Sequence, residues 1–128
     1  MIRRLVPGLA FTLSVIAAAP GSADRPTEEA YVLHCSGCHG VDGAGVPGMV
    51  PSLRSLAGLL NEEGGRAYLA RVPGVAQAPI EDRELADLLN WVMRELSSSR
   101  NFEAYTPDEI ARGRSQPLRD PLKSRPGS

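Results

Sequence analysis

The stretch His34-Cys35-Ser36-Gly37-Cys38-His39 constrains this chain more than any other. Two cysteines separated by two residues and followed at once by histidine form the attachment signature of a c-type haem. Each thiol adds to a haem vinyl group as a thioether, and the histidine ligates the iron. One helical turn presents both sulfurs on a single edge, and the next residue carries an imidazole toward the metal. The competing readings are weaker. The only Cys and His residues of the chain are the four in this hexapeptide, too crowded to wrap one zinc tetrahedron. A thioredoxin-like redox pair belongs after a strand in a βαβ unit, and no such alternation surrounds it. A plain disulfide leaves His39 unexplained. His34 lies beside Cys35, cannot easily reach the opposite face of a ring held there, and reads as a surface residue.

The start of the chain has the character of an export signal. Arg3 and Arg4 form a basic region and Leu5 to Ala19 an apolar one, and Gly21-Ser22-Ala23 offers a small-residue cleavage site. The apolar stretch carries Pro7 and Gly8 and falls short of the roughly twenty residues of a membrane span. Residues 1–23 are therefore expected to be a signal peptide cleaved after Ala23, with retention as an anchor the alternative. Export places the protein in the periplasm. Removing 23 of the 128 residues leaves 105, one domain by length. Such a chain buries little core by itself, and a covalent haem supplies apolar bulk that its few aromatic residues do not. Taking Arg3 and Arg4 from the 14 basic residues leaves 12 against 15 acidic ones. That balance offers no basic stripe for nucleic acid.

Along the remaining chain, Pro26-Thr27-Glu28-Glu29 predicts a helix start with Thr27 as N-cap. The helix runs into the haem motif and puts Tyr31, Cys35 and Cys38 on one face. Residues 40–51 hold too many glycines and prolines for regular structure and predict a loop, with glycines wherever its backbone passes close to the ring. Short helices are expected over Ser52 to Leu60 and Arg66 to Val72, with 72–79 irregular between breakers. Leu85, Leu88, Leu89, Val92 and Leu96 keep helical spacing, so Asp82 to Leu96 predicts the clearest helix. Beyond Ser97 the composition turns to Arg, Pro, Ser and Gly. Phe102 and Tyr105 are the last large apolar anchors there, Thr106-Pro107-Asp108-Glu109 is a possible helix start, and a solvated tail is expected past about residue 113.

With those residues in place, the chain resembles the class I c-type cytochromes, small monohaem electron carriers of the periplasm and related compartments. The resemblance spans about Thr27 to Leu96. It rests on Tyr31 four residues before the first cysteine, on Cys35, Cys38 and His39, on Pro51-Ser52-Leu53, and on Leu89-Asn90-Trp91-Val92 in the final helix. It implies an all-α fold, the small cytochrome c fold of three to five short helices wrapped around one covalently attached haem. The domain would be 24–97, followed by a C-terminal extension over 98–128, partly ordered and then disordered. It also implies that His39 is the iron ligand and that the Pro51 carbonyl accepts the free ring N–H of His39. Two departures stand out. Thr27 occupies a position where the family tends to have glycine, which implies a looser helix crossing. Ala78-Pro79 stands where the family's distal Met-Pro belongs, and alanine cannot ligate iron. Met49, Met93 and Gln77, a water, or nothing at all remain open as the sixth ligand.

The function expected from these features is single-electron transfer through one haem c, held by Cys35 and Cys38, between a periplasmic dehydrogenase and the respiratory chain. Its partners would be redox proteins: a dehydrogenase, an oxidase or another cytochrome. The protein would act as a monomer, with no nucleic acid and no membrane span in the mature chain, and not as an enzyme. Two alternatives follow from particular residues. The absent methionine allows an open sixth site serving a ligand sensor or haem enzyme, and the residues after Ser97 allow a dedicated cytochrome subunit of a dehydrogenase complex.

Overall fold

A proline and an acidic residue in the first turn favour helix initiation, and Pro26 and Glu28 both lie at the start of α1, Arg25–His34. The computed structural model describes residues 25–97 and 99–127, so the expected signal peptide lies outside the described residues. Helix α1 has already begun at Arg25, which puts Thr27 inside the first turn and corrects its expected role as N-cap. The helix breaks at Cys35 and resumes as the single turn α2, Ser36–His39, which Gly40 ends with its N–H on the Ser36 carbonyl at 2.8 Å.

The loop expected over 40–51 is present and is more ordered than its composition suggests. Val46 and Val50 form an isolated antiparallel bridge with N···O distances of 2.9 and 2.8 Å, and the Leu53 N–H bonds the Gly43 carbonyl at 2.8 Å. Ser52 Oγ accepts the Arg54 N–H and caps a 3₁₀ turn, Leu53–Ser55, leading into α3, Leu56–Leu60. Helix α4 covers Gly65–Arg71. Val72 is extended and Pro73 starts α5, Pro73–Ala76. The stretch expected to be irregular thus holds one helical turn, because proline at the first helical position already has the required φ.

Helix α6, Asp82–Trp91, is the centre of the packing. The expected helix to Leu96 continues, but as a π turn over Val92–Leu96 in which the Ser97 N–H reaches the Val92 carbonyl at 3.0 Å. One side of α6 meets α1, where the Tyr31 and Trp91 rings lie 5.3 Å apart at 37°. Its other side meets α7, Pro107–Arg114, whose Thr106 cap accepts the Glu109 N–H. Covered on both sides, Leu88, Leu89, Asn90, Trp91, Val92 and Met93 are all buried. Helix α7 also presses on α4, so closely that a Cβ on Gly113 would lie 2.5 Å from the Ala70 Cβ and 2.7 Å from its carbonyl oxygen.

The chain after Arg114 is largely exposed, as a solvated tail would be, yet it is tied to α4. The Leu118 N–H bonds the Arg71 carbonyl at 2.9 Å, Arg71 Nε donates to the Gln116 carbonyl at 2.7 Å, and the Tyr68 hydroxyl donates to the Pro121 carbonyl at 2.9 Å. Among the described residues the fold is all-α apart from the one bridge. It has seven α-helical segments where three to five were expected, since single turns such as α2 and α5 count separately. No described helix is long and apolar enough to cross a membrane.

Candidate functional site

The break between α1 and α2 sets Cys35, Cys38 and His39 around one turn. Cys35 is half-buried and Cys38 exposed, both as free thiols. Burial pushes the Cys35 thiol up, and the neighbouring Cys38 adds to the shift. His34 is exposed, on the solvent side of α1.

His39 is held from three directions. Its Nδ1 lies 3.0 Å from the Pro51 carbonyl oxygen. A carbonyl can only accept, so Nδ1 carries a proton and Nε2 is the nitrogen left to bind a metal. Its own carbonyl accepts the Gly45 N–H at 2.8 Å. The following residue, Gly40, has its carbonyl tied by the Tyr31 hydroxyl at 2.6 Å. Burial raises the Tyr31 phenol above its ordinary range, so the hydroxyl remains a donor at neutral pH. Arg54 closes the loop behind Pro51: its Nε donates to the Asp42 carbonyl at 2.9 Å and its guanidinium pairs with the Asp42 carboxylate. Both side chains are exposed, so the ion pair contributes at most about 1 kcal/mol, and its effect is to hold the two ends of the loop together.

Two thiols on one helical turn, with an imidazole held through Nδ1 so that Nε2 can meet a metal, are the donor set that covalent haem requires, so the residues present fit that group. The candidates for a second axial ligand are widely scattered. Met49 is 80% exposed on the Val46–Val50 bridge and Met93 is 1% exposed within the core, where it fills space. Gln77 is exposed at the end of α5. Ala78 is 8% exposed, and its carbonyl accepts from Arg114 at 2.6 Å.

Arg114 was not singled out in the sequence. Its guanidinium also takes the carbonyls of Ala76 and Ile80 and the Asp82 carboxylate, at 3.2, 2.8 and 2.7 Å. It therefore fixes the stretch around Ala78-Pro79, where the family's distal Met-Pro belongs by the resemblance. Gly45 was seen only as one of several loop glycines, and Asn90 only as part of the final helix. The Asn90 amide pairs with both backbone groups of Tyr105, at 3.0 and 2.7 Å, and docks the extension on α6.

The family model described as Cytochrome c matches residues 26–72. A cytochrome c-552 of Thermus thermophilus is 30% identical over 106 residues, covering 66% of this chain and 81% of that protein. A second cytochrome c-552 from that species is also 30% identical over 106 residues, with 72% of its length covered.

Proposed function

Since the chain belongs to the cytochrome c family, and so carries covalently attached haem c, we propose that it passes single electrons between a periplasmic dehydrogenase and the respiratory chain. The observation that carries this reading is His39, with Nδ1 held 3.0 Å from the Pro51 carbonyl beside two free thiols. When bound, the haem supplies a one-electron couple. The chain's residues do the rest. Cys35 and Cys38 tether the group where α1 passes into α2, and His39 Nε2 is its iron ligand. Pro51 fixes the tautomer and orientation of the ring and raises its basicity. Export by residues 1–23, with cleavage after Ala23, would bring the chain to the compartment in which these thiols are loaded.

Denaturing electrophoresis with a haem peroxidase stain should give colour at the mature size, and voltammetry of the purified protein a reversible one-electron wave. A colourless band from a host with haem-attachment machinery would overturn the reading. Amino-terminal sequencing of the exported protein should begin at Asp24. Ala78 favours a second reading, in which an open sixth position binds a diatomic ligand or peroxide as a sensor or haem enzyme. High-spin iron that binds carbon monoxide readily when reduced would count toward it.

A further inference from the structure

The Pro51 carbonyl can reach His39 only if nothing stands in the space beside it, and that space belongs to Gly45. Gly45 has φ +70°, and a Cβ built on it would lie 2.7 Å from the Pro51 oxygen and 2.9 Å from the Pro51 carbonyl carbon, and would collide with the Val50 oxygen. These are backbone atoms, which cannot rotate away as the end of a side chain would. The same residue gives its N–H to the His39 carbonyl at 2.8 Å. Gly45 is thus bonded to the main chain of the histidine while its bare Cα faces the carbonyl that holds the ring.

Gly48 sits three residues on, with φ +75° and nothing within 4 Å of a built Cβ. It shares the backbone conformation and lacks the contact. That difference separates two reasons for a glycine: the left-handed turn, common to both positions, and the close approach, present only at Gly45.

We propose that Gly45 is a positioning residue for the iron ligand, keeping the Pro51 carbonyl within hydrogen-bonding distance of His39 Nδ1 because it has no side chain. The proposal rests on the reading that His39 ligates the iron. It assigns to Gly45 an influence on the haem's electronic properties, although the residue bears no functional group.

The test compares Gly45→Asn with Gly48→Asn in the haem-loaded protein. Asparagine tolerates positive φ better than other residues with a side chain, so the added Cβ is the main change at either position. In Gly45→Asn the reduction potential should shift upward, since an imidazole without its N–H···O bond is less basic and favours reduced iron. The His39 Nδ1 proton, followed by NMR in the diamagnetic reduced protein under carbon monoxide, should exchange with water roughly tenfold faster or more, as local opening of the bond allows. Gly48→Asn should match the unmodified protein in both. Equal behaviour of the two variants would overturn the role of Gly45 alone. A His39 ring without the large haem ring-current shift in the unmodified protein would overturn the ligand assignment, and the role of Gly45 with it. Should Gly45→Asn yield no loaded protein, the unmodified one decides. As denaturant rises, the Gly45 amide and the His39 ring proton should lose protection together, because one opening releases both. Exchange at His39 while Gly45 stays protected would overturn the proposal.

Discussion

By the resemblance, Ala78 stands where the family carries its distal methionine, whose thioether would raise the potential of the iron. Ala78 is buried while Gln77 and Pro79 on either side of it are exposed, and Arg114 makes four bonds around the stretch. Replacing Ala78 with Met should turn the iron low-spin and raise the potential, as absorption spectra and voltammetry would show. If the unmodified protein already has sulfur-ligated iron and loses it on Met49→Ala or Met93→Ala, another methionine fills the role. Trp91 is a different kind of residue, significant through its volume. It is 8% exposed with Tyr31 against it, so Trp91→Ala should destabilise by about 3 kcal/mol or more, mainly as a cavity. Ring pairing itself accounts for only about 1 kcal/mol of such a loss. Thermal or denaturant unfolding of the loaded protein measures it, and an unchanged midpoint would show that the pair does not hold the helices together.

Among elements, α7 departs furthest from what composition suggests. Its arginines read as solvation, yet Arg66 of α4 makes a bidentate pair with Glu109 at 2.6 and 2.8 Å while stacking 4.2 Å over the Tyr105 ring. Arg114 reaches three carbonyls of the neighbouring loop. A guanidinium suits this task because its fixed fork of donors can satisfy the main chain of irregular segments. A sequence shows the donors and not the carbonyls they will meet, which is why these anchors were not legible. What could be read were features that are local or periodic: the haem turn, the glycine-rich loop, and the apolar stripe of α6. Even that stripe was understated. Asn90 and Met93 lie off it, yet both are buried, Asn90 because the extension docks on it through Tyr105. Arg114→Ala should therefore lower stability by about 3 kcal/mol, given that bonds to a charged donor are worth about 1.5–3 each and do not add fully. Arg112→Ala, on the exposed side of α7, should change it by no more than about 0.5 kcal/mol. Denaturant midpoints of the two variants give the comparison, and equal midpoints would mean that α7 does not hold the loop.

At the scale of the whole molecule, the buried core is unevenly shared. Tyr68, Leu69, Ala70, Leu85, Leu88, Tyr105 and Ile110 join α4, α6 and α7 in one cluster, whereas between Cys35 and Leu56 only Gly43 is buried. Apart from the haem that it attaches, that second region is held by main-chain hydrogen bonds, by Pro51 on His39 and by the exposed Arg54–Asp42 pair. Exposed bonds of this kind open at low free energy, while amides beneath a packed core open only near global unfolding. The two regions should therefore respond differently when the covalent link is removed. In a Cys35→Ser, Cys38→Ser variant, amide hydrogen exchange should rise sharply over 36–55, while amides in α4, α6 and α7 keep most of their protection. The extension underlies this expectation, since α7 completes a core on the side of α6 away from α1. Removing residues 107–128 as well should abolish the difference and lower protection throughout. Should the double serine variant lose protection evenly, without any truncation, the attachment turn and the α4–α6–α7 core form one cooperative unit.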